Sequence, residues 1–318
     1  MLIGLFYTKN YFCIVELTLK IKNIMDYQLS FLKEEDYPLL FQTFQDAFGD
    51  YGVDMDYMDE DMLYNRWIKN HVQYRASVGV WEFNQLVGFT MVSTDVWQGV
   101  PSAFNAATGI IERYRNQGIA GEMIDFITPK LKKVGIQNLW LEVLQSNEAG
   151  VKAYQKSGFK IQRNFNCYTL AHNKYQSLTA THTALEIKEI SVEDIKTCRA
   201  WFAWQPSWEN STAAVQRIPD KKVILGGFLD NELVGYIAFY PAFQQIMQLV
   251  VVPLQRKENI AHTLLQHLVT QTAQELDKIH YTNVDESDES TNKFLKKAGF
   301  ELVAKQYEMA LDLNEKQF

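Results

Sequence analysis

The apolar positions of the N-terminal half switch between the period of a strand and the period of a helix. Residues 27–32 predict a strand, residues 34–48 a helix, and residues 77–81 with 87–94 a hairpin. Another strand ends near Ile111. Short strands mixed with helices predict an α/β or α+β fold class.

The clearest helical stripe follows Gly118 and ends at Gly135. Its apolar side chains recur on one face, at Ile119, Met123, Ile127 and Leu131. Beyond it, the alternation of Leu139, Leu141 and Val143 predicts a strand. A short helix over residues 147–156 and strands near residues 159–170 then close the unit.

The same order of elements recurs in the second half of the chain. The matched segments are residues 84–89 with 231–236, 111–115 with 252–256, and 157–159 with 298–300. Arg115 precedes Gly158 by the same 43 residues that separate Arg256 from Gly299. Matches that keep their order and spacing predict a duplication.

The duplication predicts two tandem domains, which suits a chain of 318 residues. We assign residues 25–172 to the first domain and residues 184–318 to the second. Residues 173–183 are polar and lack periodicity, so they are predicted to be the linker. Residues 1–24 precede the cleaner pattern and are predicted to be an N-terminal extension.

Composition excludes several classes of partner. The net charge of −7 argues against nucleic acid, and charged residues interrupt the apolar pieces near the start, so no membrane span is predicted. Three scattered cysteines are typical of reduced thiols in the cytoplasm. His262 and His267 are five residues apart and off one helical face, so no metal site is predicted.

Residues 115–120, Arg-Asn-Gln-Gly-Ile-Ala, lie between a predicted strand and the striped helix. A glycine here lets a ligand approach the backbone, and the free amides of a helix N-terminus attract a pyrophosphate. Arg113 or Arg115 can add positive charge. The other interpretation is structural, because a turn from strand to helix often needs glycine.

This turn is followed in order by Asn147, Tyr154 and Gly-Phe at residues 158–159. The combination resembles the signature of the GNAT superfamily of N-acetyltransferases, over about residues 27–170. The resemblance implies a mixed central sheet flanked by helices and acetyl-CoA as the acyl donor. It also implies a primary amine of a small molecule or peptide as the acceptor.

The resemblance further implies which residues contact the donor. Ile110 represents a fourth strand, about residues 107–111, that parts from the fifth and offers backbone groups to the thioester. Asn147 is implied to contact the pantetheine arm, although it also suits a helix N-cap. The implied acetyl-CoA-binding residues are Ile110, Arg115, Gln117, Gly118, Ile119, Ala120, Gly121 and Asn147.

By the same resemblance, Tyr154 stands where a tyrosine protonates the departing sulfur; the alternative is a tyrosine that packs on its helix. Glu142 is our candidate general base, on the face of its strand opposite Leu141. A solvated or salt-bridged glutamate is the alternative. Asp95 is a further candidate.

Six carboxylates within residues 50–61 would suit a cationic amine acceptor. The other interpretation is a solvated helix start that is enriched in acid.

The second copy departs from the pattern, with Asn259, Asp288 and Leu295 at the positions of Gly118, Asn147 and Tyr154. Its acidic run at residues 285–289 would repel a phosphorylated ligand. We therefore predict a degenerate second domain that packs against the first or shapes its acceptor site. The alternative to an acetyltransferase is a non-catalytic acyl-CoA-binding sensor or interaction module.

Overall fold

A computed structural model describes most of the chain, in the ranges 27–49, 58–175, 181–219, 221–272 and 275–315. The predicted N-terminal extension, the middle of the predicted linker and the carboxylates of residues 50–56 lie outside the described residues. In the described ranges, no helix combines the length and the apolar character needed to cross a membrane.

The first half alternates strands and helices as its periodicity predicted. Its elements are β1 (Gln28–Phe31), α1 (Tyr37–Phe48), α2 (Glu60–Asn70), β2 (Val78–Glu82), β3 (Gln85–Trp97), β4 (Val100–Ile110), α3 (Ile119–Lys133), β5 (Asn138–Leu144), α4 (Glu148–Lys156) and β6 (Lys160–Ala171). Strand β4 begins seven residues before the start predicted for the fourth strand, because Gly99 (φ 84°) closes a hairpin that pairs it with β3 from Val100 to Ile110, with one bulge at Ala106.

The second half repeats this order with shorter helices near its start. Its elements are β7 (Glu186–Glu189), α5 (Val192–Lys196), α6 (Thr212–Arg217), β8 (Val223–Leu229), β9 (Glu232–Tyr240), β10 (Gln245–Val251), α7 (Ile260–Thr272), β11 (Lys278–Asp285), α8 (Glu289–Lys297) and β12 (Glu301–Asp312).

The strands of the described ranges form one twelve-stranded mixed sheet in the order β1-β2-β3-β4-β5-β12-β6-β11-β10-β9-β8-β7. Neighbouring residues of β5 point to opposite faces of this sheet. Leu141 packs in one cluster with Met123 of α3, whereas Trp140 packs against the cluster that contains Leu40 of α1. Helices therefore flank both faces, and the predicted fold class is confirmed.

The two halves exchange their last strands. Strand β12, from the end of the chain, lies between β5 and β6, and β6 lies between β12 and β11. We expected several strands near residues 159–170 to close the first unit, but only β6 is there. The strand beside β5 comes from the second half, because alternation identifies a strand without identifying its partner.

The exchange carries apolar side chains of each half into the core of the other. Met309 and Leu311 of β12 are buried in the cluster of α3 and β5. In return, Tyr168 and Leu170 of β6 are buried in the cluster that contains Leu264 of α7. Neither core is complete without a strand from the other half.

This shared core predicts that Met309→Ala destabilises the whole molecule in one unfolding transition. Met309 is fully buried, so its truncation should lower the free energy of unfolding by about 2–5 kcal/mol. Scanning calorimetry of the full chain is the measurement. Val303→Ala on the same strand is the matched control, because Val303 is 61% exposed. Two separate transitions, of which only one moves, would contradict the shared core.

Candidate functional site

Strands β4 and β5 form a fork. Their parallel pairing runs from Ser102 opposite Asn138 to Asn105 opposite Leu141 and then stops, while both strands continue. On the other side of β4, Ile111 N donates to Val87 O at 3.1 Å. In an antiparallel pair, successive residues alternate between bonding the partner strand and pointing away from it. The backbone groups of Ile110 therefore point away from β3 and toward the gap between β4 and β5.

A cavity of about 590 Å³ occupies this fork. Most of the implied donor-binding residues line it, namely Ile110, Arg115, Gly118, Ile119, Ala120, Gly121 and Asn147, together with Tyr154. Gln117 is not among the lining residues, because its side chain turns back and donates to Arg113 O at 3.1 Å. Glu142 does not line this cavity either.

The turn before α3 has left-handed backbone at Asn116 (φ 62°) and Gly118 (φ 89°). A Cβ atom added at Gly118 would meet no atom of the described residues within 4 Å, so glycine suits this position through its conformation. In the part of the chain that the structure describes, no side chain caps α3. The first-turn amides therefore face the open space beside Gly118, which suits an anion.

The Arg115 side chain stabilises the turn by hydrogen bonds to main-chain carbonyls. Its Nε donates to Ile110 O at 2.9 Å and one terminal nitrogen donates to Ala47 O at 3.0 Å. Arg113 pairs with Glu82 at 3.2 Å. Both guanidinium groups thus have partners within the protein, and the Arg113 side chain is still 57% exposed.

Tyr154 is half-buried at the base of the fork. Its ring contacts Phe159 edge-on at 5.6 Å, and Asn105 Nδ2 lies 3.4 Å from its hydroxyl. Asn105 also donates to Thr108 Oγ1 at 2.8 Å. We did not predict a role for Asn105, because the strand starts earlier than we expected. An asparagine among apolar strand residues is the signal that would have found it.

Asn147 serves as the N-cap of α4, and its Oδ1 accepts from Gly150 N at 2.9 Å. Its amide group lies on the cavity wall. The capping role that we considered is therefore present, and contact with a pantetheine arm stays a prediction.

Glu142 is the first residue of β5 beyond the last pair with β4. Its Oε2 accepts from Asn283 Nδ2 at 2.6 Å, and its Oε1 is buried without a hydrogen-bond partner in the described part of the chain. Burial, reinforced by the nearby carboxylates of Glu209 and Glu308, raises the pKa of Glu142 to about 8. Neither alternative that we considered describes this group, since it is held by an amide in a shielded setting.

The other acidic candidates have structural partners. Asp95 is ion-paired with Arg217 of the second half and does not line the cavity. Asp59 caps α2 by accepting from Met62 N at 2.7 Å, and Glu60 begins that helix. For this described part of the acidic segment, the geometry is that of a helix start.

The second half has a cavity of about 630 Å³ at the equivalent place. Asn259 (φ 61°) keeps the left-handed turn. Arg256 repeats the contact of Arg115 with a main-chain carbonyl by donating to Trp201 O at 2.6 Å. The counterparts of Gly121 and Tyr154 are His262 and Leu295, which are both buried.

The acidic run of the second half is largely neutralised, so it repels anions less than we expected. Its ion pairs join Asp285 to Arg163, Glu286 to Lys305 and Glu289 to Lys293. Of its acids, only Asp288 lines the cavity.

Curated relatives and solved structures resemble the chain over different lengths. A [ribosomal protein bS18]-alanine N-acetyltransferase of Haemophilus influenzae is 34% identical over 87 residues, which are 26% of this chain and 56% of that protein. The enzyme of the same name from Escherichia coli is 36% identical over 55 residues, which are 16% of this chain and 37% of that protein. The chain thus spans about half or less of the length of these curated relatives.

Two solved structures share the fold across nearly the whole chain. A tandem GNAT protein from the clavulanic acid biosynthesis pathway has a TM-score of 0.69 at 12% identity, covering 92% of this chain and 100% of that one. A GCN5-related N-acetyltransferase from Sphaerobacter thermophilus has a TM-score of 0.68 at 12% identity, covering 91% and 96%.

The sequence model of the acetyltransferase (GNAT) family matches the chain twice, at residues 37–159 and 189–300. The two matches correspond to the two copies that the internal repeat predicted. Together they cover most of the chain, which therefore belongs to the GNAT family of acetyltransferases.

Proposed function

We propose that this protein transfers the acetyl group of acetyl-CoA to the primary amine of a small molecule or a peptide. The observation that carries the proposal is the fork of β4 and β5, with Tyr154 on one face of the sheet and Glu142 on the other. Asn105, the last paired residue of β4, contacts the tyrosine, and Glu142 follows the last paired residue of β5. An acid and a base thus flank one gap between two strands.

The donor-binding proposal rests on the α3 turn. The uncapped first-turn amides and the space beside Gly118 suit the pyrophosphate of acetyl-CoA. The backbone N–H of Ile110 faces the fork, where it can stabilise negative charge on a thioester oxygen.

In the proposed reaction, the amine nitrogen bonds to the thioester carbon and the carbon–sulfur bond breaks. Glu142 accepts the proton that the amine loses, and Tyr154 donates its proton to the departing sulfur. The position of Glu142 supports this role, because it is the first residue of β5 beyond the last pair with β4, where the two strands part.

The acceptor proposal draws on the relatives named for acetylating an alanine of a ribosomal protein. A peptide N-terminus is therefore the first acceptor to test, followed by small primary amines. We propose the first half as the catalytic one, because Asn283 and Leu295 of the second half can replace neither the glutamate nor the tyrosine.

A second candidate function is ligand sensing by the second half. The observation that favours it is the cavity of about 630 Å³ beside a retained turn. Calorimetric titration of the full chain with acetyl-CoA separates the candidates. One bound molecule supports a single donor site, and two support a sensing site beside it.

Gly118→Asn is expected to weaken acetyl-CoA binding at least about tenfold. Asparagine tolerates the left-handed backbone, as Asn259 does, but its side chain would fill the space in front of the α3 amides. Calorimetry on the full chain measures the change. Asn259→Gly is the matched control and should leave the first site unchanged. Equal affinity of Gly118→Asn and wild type would contradict the proposed pyrophosphate position.

Tyr154→Phe is expected to lower kcat about 100-fold with little change in acetyl-CoA affinity, because it removes the proton donor and keeps the ring. Thiol release measures the rate. Tyr114→Phe is the control, since Tyr114 also lines the cavity but its hydroxyl donates to Glu82. A Tyr154→Phe variant as fast as wild type would remove the acid from the proposal.

Glu142→Gln is expected to abolish the rise of kcat with pH. A base works when it is ionised, so the wild-type rate should climb as pH passes the Glu142 pKa of about 8, whereas glutamine accepts no proton. The profile is measured with saturating donor and an acceptor amine that is neutral throughout the range. Glu148→Gln, at an exposed position on α4, is the control. A profile that still rises in Glu142→Gln would assign the base to another group.

A further inference from the structure

The strand exchange creates a local two-fold axis between β12 and β6. Gln306 pairs with Phe165, and these residues are 141 positions apart, which is the offset of the repeat. Glu142 and Asn283 are separated by the same offset. They are therefore counterparts in the two copies, and they meet at 2.6 Å.

The backbone at Asn283 is shaped for this contact. The pairing of β11 with β6 shifts register between Tyr281 and Val284, and Asn283 lies in that bulge with φ 59°. Bulges redirect side chains, and asparagine tolerates the left-handed conformation. A second N–H of the amide donates to Ser207 Oγ at 3.0 Å, and Ser207 is fully buried. Two acceptors thus fix the orientation of the amide.

Glu142 differs from the carboxylates around it. Glu308, its direct neighbour on β12, is bound by Arg163 through two contacts of 2.7 and 2.8 Å. Glu209 accepts from Arg66 at 2.8 Å. Glu142 has an amide donor in place of a cation. The titratable and charged groups that face it are Lys69, Arg163, Cys167, Glu209 and Glu308.

The geometry points to Asn283 as a positioning residue for Glu142, supplied by the second half of the chain. Its amide orients Oε2 and favours the ionised carboxylate that accepts the amine proton. This inference rests on the proposed function of Glu142. It gives the second copy a part in the reaction of the first.

A donor to the carboxylate favours its charged form, so loss of the amide should raise the Glu142 pKa. The ascending limb of the kcat profile should then move to higher pH by about one unit, which lowers the rate near neutral pH about tenfold. The acetyl-CoA affinity of the first cavity should stay unchanged, because Asn283 lines the second cavity and not the first.

Two substitutions in the full chain test the inference. Asn283→Gly keeps a residue that tolerates the positive φ and deletes the amide. Asn283→Asp keeps the shape and replaces the donor with a second carboxylate, which should shift the profile further upward. Asn292→Ala is the matched control. It removes a buried asparagine that bonds Asn166 and Tyr168 of the exchanged strand, so it should lower Tm without moving the profile.

The first readout is the dependence of kcat on pH. The second is the carbon-13 NMR titration of the Glu142 carboxyl, whose signal is identified by its loss in Glu142→Gln. Upward shifts in both Asn283 variants support the inference. An unshifted profile and titration in either folded variant overturn it, while an inactive Glu142→Gln keeps the proposed function. A fully active Glu142→Gln overturns the base role and the positioning role together. A wild type that acetylates no amine overturns the proposed function itself.

Discussion

The exchange of β12 and β6 is the constraint on which the rest of the structure depends. A sheet edge exposes unpaired amides and carbonyls. In the described ranges, each half has one closing strand, β6 or β12, that can cover the edge of a fifth strand, β5 or β11. Placing β12 beside β5 and β6 beside β11 covers both edges and joins two sheets into one. The same arrangement completes both cores and brings the two fifth strands near a common axis.

Features that depend on neighbouring residues could be predicted from the sequence. The stripe from Ile119 to Leu131 specifies α3 and its buried face, and the turn residues specify a left-handed entry at Gly118. The strand exchange could not be predicted from the sequence, for a physical reason. Alternation along β12 tells which side chains are buried, and it would be the same beside any partner strand. Two copies with equal patterns make that choice still less visible from sequence.

The candidate site likewise has a part that could be predicted from the sequence and a part that could not. Tyr154 and the turn were predicted because a motif of fixed spacing positions them on one cavity wall. The setting of Glu142 was not, because Asn283, which donates to it, and Ser207, which accepts from Asn283, lie 141 and 65 positions away from it along the chain. A carboxylate's ionisation depends on burial and on its hydrogen-bond partners, so the sequence left only ordinary alternatives, a solvated or a salt-bridged group.

The exchange requires the second copy to keep its fold even where its residues differ from those of the first. Leu295 stands at the position of Tyr154 and is buried in the core, whereas Asn259 and Arg256 keep the left-handed turn and its hydrogen bond to a main-chain carbonyl. The fold of the second half has to persist, because its loop around Trp208 and Glu209 packs against the first half. Trp208 packs between Trp97 and Phe104 at 5.4 and 5.3 Å, and Glu209 beside it accepts from Arg66 of α2. A second copy bound in this way can have leucine at the position of Tyr154, but it cannot unfold without opening the contacts around Glu142.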